Sequence, residues 1–278
     1  NLHTESILAA CLVWAAYAWA KGRYHWSAVG LGLAVGTKII PLLMLPMVLR
    51  RLWFWKGVVY CSIVMGMSFG LFGLFYDLAL LEQTRESMSL YFQDFEFNGS
   101  VYYYLRYVIL DEYWKLWDYH AYFMHVTWVE DVLRLDWHQG LRRVLPVVTV
   151  LDILWVAAGH PSKRSFWTTA MWGFALHLIF STTVHPWYLV PVILWSVLTP
   201  YRFPLLWSAL MGLTYITYHG GGFEEQAWVA VVEYGLVFAF LLYEQQSWRI
   251  GKTNITPTLP PYSFHQMEQK QASGNFLS

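Results

Sequence analysis

A handful of side chains able to do chemistry stand where their type is costly or unexplained. Lys38 lies inside the run Gly30 to Pro46 (GLGLAVGTKIIPLLMLP), in which it is the only charged residue. An ammonium at the centre of a membrane helix costs about 2.5 to 3.5 kcal/mol on insertion scales, so something should offset it. A phosphate docking at the membrane face would do so, and so would the plainer alternative of a lysine stem that carries its charge to the interface. His185 opens the string Thr183-Val184-His185-Pro186-Trp187-Tyr188-Leu189. Proline suits the first turn of a helix and the Trp-Tyr pair suits an interface, so a structural helix start accounts for everything except the histidine, which can hydrogen-bond a phosphate or a sugar hydroxyl. His3 and Glu5 flank the start of an apolar segment, where an acidic residue in the first turn is also an ordinary partner of the helix dipole.

Other polar groups fall into two classes. Asp94, Glu96 and Asn98 stand together in one polar stretch, and His219, Glu224 and Glu225 in another. Asp152, His177 and Glu233 lie within apolar segments and are costly unless paired; a contact between Asp152 and His177 is one way to pair them. The sequons Asn98-Gly99-Ser100 and Asn254-Ile255-Thr256 occur at the frequency of chance. Cys11 and Cys61 sit in apolar segments where neither a disulfide nor a metal site is readable. The formal net charge of zero gives no electrostatic footprint for a nucleic acid.

The elements that must position these groups read as membrane helices. Hydrophobic residues make up 57% of the chain and charged residues 13%, too little charge to coat a soluble domain, where roughly a quarter of residues are charged. Apolar blocks fall at about 6–20, 26–38, 40–50, 57–77, 143–158, 165–182, 185–199, 204–218 and 227–244, which makes the fold an all-α, polytopic transmembrane bundle of about nine crossings. Aromatic residues gather at block ends, as in Arg51-Leu52-Trp53-Phe54-Trp55-Lys56, where amphipathic rings anchor at headgroups.

Lys21 and Arg23, then Arg50, Arg51 and Lys56, then Lys163 and Arg164, then Arg202 mark alternate connections, and the positive-inside tendency puts all four in the cytoplasm. The second and third blocks are short for a full span of about 20 residues. They read as two half-helices meeting near Gly36-Thr37-Lys38-Ile39-Ile40-Pro41, a broken backbone of the kind tolerated where protein buries it or it lines a cavity. Residues 1–248 then form the membrane domain with a long outer loop, 78–140, in which Val101 to Leu110 reads as an interfacial amphipathic helix. Residues 249–278 are polar, contain proline and read as a cytoplasmic disordered tail. With this orientation His3, Glu5, Lys38, Asp94, Glu96, Asn98, His185, Tyr188 and Glu224 all face the outer side. The chain opens on Asn1 almost directly before an apolar helix, which reads as a missing natural start.

The strings Asn1 to Glu5, Gly30 to Pro46, Tyr91 to Arg106 (YFQDFEFNGSVYYYLR), Ser181 to Pro191 (STTVHPWYLVP), Tyr201 to Trp207 and Glu225 to Tyr234 (EQAWVAVVEY) come in an order and spacing that resembles bacterial polyprenyl-phosphate-dependent mannosyltransferases of the fold type C glycosyltransferase class. The similarity runs from residue 1 to about 245. It implies a multi-pass protein of the bacterial inner (plasma) membrane that moves a sugar, mannose by resemblance, from a polyprenyl-phosphate donor to a glycan, lipid or protein acceptor at the extracytoplasmic face, with inversion. No cofactor is implied and a divalent metal is left open. The family's catalytic carboxylate lies in a first outer loop that would precede Asn1, so the resemblance names no base here; Glu5, Asp94 and Glu96 are the carboxylates on the correct side. As donor-phosphate or substrate ligands the reading names Lys38, His185, His3, Asn98, Tyr188 and Glu224. The stretch from Arg106 to Pro146 is longer than the family pattern and carries no implied role. Two rival readings are a transporter or flippase of lipid-linked sugars, whose folds also use broken helices, and a non-catalytic membrane scaffold.

Overall fold

A computed structural model describes residues 2–73, 96–106, 137–158, 165–218 and 227–249. Regular structure among the described residues is helical, apart from one isolated parallel bridge between Phe97 and Thr183. The first apolar block forms α1 (Leu2–Ala20). Gly22, at φ 68°, ends it: the Gly22 amide bonds the Trp19 carbonyl and the Arg23 amide the Ala18 carbonyl, both at 2.9 Å, a Schellman closure that an L side chain at that φ would oppose. The chain then reverses into α2 (Tyr24–Thr37).

Small residues on two faces of α2 let its neighbours approach closely. A Cβ added at Gly30 would lie 2.9 Å from the Ala15 backbone nitrogen of α1. One at Gly32 would lie 2.7 Å from the Met67 Cβ and 3.0 Å from the Val64 carbonyl oxygen of α4 (Phe54–Gly73), and one at Gly36, a turn further on, would meet Leu71. The Ser68 hydroxyl uses that proximity to donate to the Gly32 carbonyl at 3.1 Å, and Ser27 and Tyr60 share a hydrogen bond at 3.1 Å. Van der Waals contact over small residues, with polar groups bonded across it, is how helices associate where lipid removes the hydrophobic drive.

The break falls inside the expected run. Helix α2 stops at Thr37, whose hydroxyl turns back to the Ala34 carbonyl at 2.7 Å, and Lys38 is extended (φ −153°, ψ 142°). A 3₁₀ turn, Ile40–Met44, and the short α3, Leu45–Leu49, follow. Pro41 and Pro46 have no N–H to give a continuous ladder and each sits in the first turn of its own element. This second half returns along the bundle: Lys38 at its head lies against Glu5 at the start of α1, while Arg51 at its foot lies over the ring of Phe166, which stacks on Trp19 at the end of α1.

The remaining helices are α5 (Ser100–Tyr103), α6 (Trp137–Ala158), α7 (Phe166–Ile179), α8 (Val190–Ser196), α9 (Phe203–Leu210) and α10 (Ala227–Arg249), with 3₁₀ turns at Pro186–Leu189 and Met211–Tyr218. Ser165 caps α7 by accepting the Thr168 amide at 3.1 Å. Helix α7 packs between α6 and α8, α9 lies on α10, and α8 meets α1. Trp195, Trp207, Phe174 and Phe203 fill the centre, whereas Val147, Leu151 and Trp155 of α6 and Trp228, Val231 and Leu236 of α10 are exposed. Phe54–Leu71 and Trp228–Ser247 are helices long and apolar enough to cross a membrane.

Two local expectations change. The described part of the Val101 to Leu110 stretch is not a surface helix: Tyr102 is fully buried and Tyr103 nearly so, because Ser100 bonds the Ile179 carbonyl at 2.9 Å and draws the turn into the core. Asp152 and His177 are not joined by an ion pair.

Candidate functional site

Glu5 and Lys38 form an ion pair across 33 positions of sequence. Each stands at the helix end its charge favours, Glu5 in the first turn of α1 and Lys38 just past the last turn of α2. The carboxylate side chain is 6% exposed and the lysine 24%, so the lysine is the less buried member. Lys38 Nζ also lies 5.0 Å from the centre of the Tyr188 ring, where the electron-rich face attracts a cation.

Tyr188 is brought there by the 3₁₀ turn that starts at Pro186; its amide bonds the His185 carbonyl at 2.9 Å. His185 precedes the turn in extended backbone (φ −86°, ψ 153°) and is 7% exposed. Its ring is stacked between Phe97 at 4.7 Å and Trp187 at 4.5 Å, with Tyr188 edge-on at 5.3 Å. Phe97 holds its place through the bridge: its amide bonds the Thr182 carbonyl at 3.1 Å and its carbonyl accepts the Val184 amide at 2.7 Å. Gly99 completes this docking, since a Cβ there would lie 3.0 Å from the Ser181 and Thr182 carbonyl oxygens.

Asn98, next along, turns the other way. With φ 51° it is the one non-glycine residue of positive φ among the described residues, a conformation asparagine tolerates better than most. Its amide donates to both oxygens of Glu233 in α10, at 3.1 and 3.3 Å, and its carbonyl accepts from the Tyr234 hydroxyl at 2.7 Å. Glu233 is completely buried and also accepts from the Trp207 indole at 3.0 Å. Glu96 closes the segment by pairing with Arg106 and accepting from Tyr102.

Lys38, His185, Tyr188 and Glu5 are thus brought together, and Asn98 is directed into the bundle. Of the candidate bases, Glu5 is paired with Lys38 and Glu96 with Arg106. Asp94 and Glu224 lie outside the described residues, as do Asn1, the side chain of His3, nearly all of loop 78–140 before Glu96 and after Arg106, and the tail from 250. Glu233 was legible only as a charge in need of a partner, and Phe97, Trp207 and Tyr234 carried no signal beyond their apolar surroundings. A recess beside Asn98, lined by Tyr103, Thr214, Thr217 and Ala230 among others, has a cavity volume of about 10 Å³, room for about one water rather than a ligand, and its lining does not include Lys38. Among the described residues no group of His, Cys, Asp and Glu gathers to hold a metal.

In chemical terms the cluster is a lysine on an aromatic face, paired with a buried carboxylate and standing near a histidine. No family profile, no curated protein and no solved structure matches the chain.

Proposed function

We propose that the chain is a polytopic membrane glycosyltransferase that takes a sugar, mannose by resemblance, from a polyprenyl-phosphate donor at the extracytoplasmic face, with Lys38 and His185 meeting the donor phosphate. The observation that carries this reading is the convergence of Lys38, Glu5, His185 and Tyr188 from three separate segments at one end of the bundle.

The reaction asks for such a group. As the acceptor hydroxyl attacks the anomeric carbon and the sugar–phosphate bond breaks, negative charge grows on the departing phosphate, and a fixed cation in a water-poor site stabilises it far better than water does. An arriving phosphate competes with Glu5 for Lys38, which is the less buried member of the pair. A general base must take the hydroxyl proton, a contribution of about 10² to 10⁴ in rate, and the carboxylates the sequence offers for that role are Glu5, Asp94 and Glu96. The multi-pass arrangement is supported by the basic connections: Lys56 lies over Tyr24 at 6.0 Å, Arg51 over Phe166 at 5.5 Å, and Glu244 bonds the Arg202 amide at 2.6 Å, all at the end opposite Lys38.

Binding is tested with the chain in nanodiscs by comparing polyprenyl-phosphate mannose with the same polyprenol carrying no phosphate. The reading requires the phosphate-bearing lipid to bind and the neutral one not to compete. Equal binding of both would overturn it, and movement of the lipid-linked sugar across vesicles without transfer would assign the chain to transport. Orientation is tested by single cysteines at Arg51, Lys163, Asp94 and Glu224 probed with an impermeant thiol reagent; only the last two should label from outside.

A further inference from the structure

We infer that Glu233 is a positioning residue: through Asn98 it holds the Phe97–Thr183 bridge, and so the ring against which His185 is stacked. The part of this that concerns donor binding rests on the function proposed above; the part that concerns the bridge does not.

Glu233 invites an explanation because it is a carboxylate with no exposed surface inside an apolar helix. A buried ionisable group in such a segment is retained where it does something, and core filling alone would be served better by an apolar side chain. Its partners show where it acts. One is Trp207 in the neighbouring α9, which fastens the carboxylate to the bundle at 3.0 Å. The other is Asn98, whose amide spans both carboxylate oxygens. The adjacent Tyr234 takes the Asn98 carbonyl, so two successive residues of α10 grip one loop residue by its side chain and its backbone.

That grip matters because of the conformation it holds. At φ 51° Asn98 stands in a sparsely populated region, one that asparagine enters more readily than most residues and that its two bonds to α10 favour here. Around Asn98 consecutive residues take different partners: the Asn98 side chain bonds Glu233 of α10, and the Phe97 backbone bonds Thr182 and Val184. Phe97 then closes one side of the His185 ring at 4.7 Å, and Gly99 and Ser100 fasten the far side of the turn to Ser181, Thr182 and Ile179. The loop is therefore a tie between α10 and the His185 segment, with Glu233 as its anchor. If the anchor lets go, Asn98 relaxes to negative φ and the bridge opens.

A disulfide reporter reads the bridge without any need for activity. Phe97→Cys and Thr183→Cys are introduced together, with Cys11 and Cys61 changed to serine, and the rate of oxidation is followed in membranes; paired residues on neighbouring strands lie within the ~4.4–6.8 Å that a disulfide spans. Glu233→Ala and Asn98→Ala are each expected to slow oxidation about tenfold, and the double variant to slow it no more than either alone, the non-additivity of residues acting through one contact. Glu233→Gln, which keeps the volume and one acceptor oxygen, should fall between parent and alanine, and it decides the question if Glu233→Ala does not insert. Oxidation within twofold of the parent in both Glu233→Gln and Asn98→Ala overturns the inference, and so does a double variant in which the two losses multiply. In the transfer assay, with Phe97 and Thr183 native, the same single substitutions are expected to raise the donor KM about tenfold with kcat changed less, the signature of lost ground-state positioning. Slowed oxidation with no preference of the parent for the phosphate-bearing lipid would leave the tie standing and remove the donor-site reading.

Discussion

The two ends of the bundle both carry cations, yet they are built differently. At one end Lys21 lies over Tyr17 at 5.8 Å, Lys56 over Tyr24 at 6.0 Å and Arg51 over Phe166 at 5.5 Å. Each contact is a cation on a ring close to a helix terminus; Tyr17, Trp53, Phe54 and Trp55 are exposed here, whereas Phe166 is buried. Arg51 and Lys56 lie over rings of one aromatic cluster, in which Trp19 contacts Phe166, Tyr24 and Tyr60. At the other end Lys38 meets a buried carboxylate and a tyrosine ring, a buried histidine is stacked on both faces, and the backbone around both is extended rather than helical. Segments converge at both ends; what separates them is the chemistry that meets the cation, a buried carboxylate with a histidine nearby at Lys38 and aromatic rings at the other end.

The largest test of that contrast is Lys38→Met. Loss of the ammonium is expected to lower binding of a polyprenyl-phosphate sugar, and its transfer by the protein as its own cell makes it, by about 10²-fold or more, the scale of removing one preorganised charge-stabilising group. The substitution also strands Glu5, which is buried, and an unpartnered buried charge destabilises by about 3–5 kcal/mol. Lys38→Met with Glu5→Gln separates the two effects: it should recover insertion and thermal stability but not donor binding. Recovery of binding in the double variant would reduce Lys38 to a structural partner of Glu5.

Part of this was readable in the residues and part was not, for physical reasons. The break near Lys38 was legible because proline and the two short apolar blocks act locally, and the helix does end at Thr37. The cost of Lys38 in an apolar run was legible too, but its partner was not, since Glu5 could be read as an ordinary helix-start residue and nothing in spacing joins positions 33 apart. Asn98 read as an outward loop group and is instead buried against Glu233, 135 positions away. Tyr102 belonged to an aromatic string that fits an interface as well as a core, and burial is set by the docking of Ser100 on the Ile179 carbonyl. Local grammar thus exposes where a helix must stop; which groups meet depends on packing among helices.

A second test belongs to the Lys38 end. Gly99→Ala places a Cβ 3.0 Å from two carbonyl oxygens of residues 181 and 182, and backbone yields less readily than a side-chain tip. Overpacking of this kind destabilises by about 1–3 kcal/mol. The melting temperature should drop by several degrees, and donor binding should weaken with it because His185 loses its backing. A fall in melting temperature with unchanged binding would detach the loop from the site.

The smallest effect is expected at the anchoring end. Glu244 of α10 accepts the Arg202 and Phe203 amides at 2.6 and 3.1 Å, satisfying two of the N–H groups that the start of α9 leaves without intrahelical partners. Capping contacts of this kind contribute about 0.5–2 kcal/mol. Glu244→Gln retains one carbonyl oxygen, so one amide keeps its acceptor while the other faces the new NH₂ group, and only part of that energy is lost. A shift of the melting temperature by a few degrees at most follows, measured in detergent against the parent. Donor binding should be unchanged, because Glu244 lies about three turns along α10 from Glu233, the residue through which that helix is tied to the His185 segment. If Glu244→Gln weakened donor binding as much as Gly99→Ala, the two ends would be coupled, and the basic end would belong to the site rather than to the anchor.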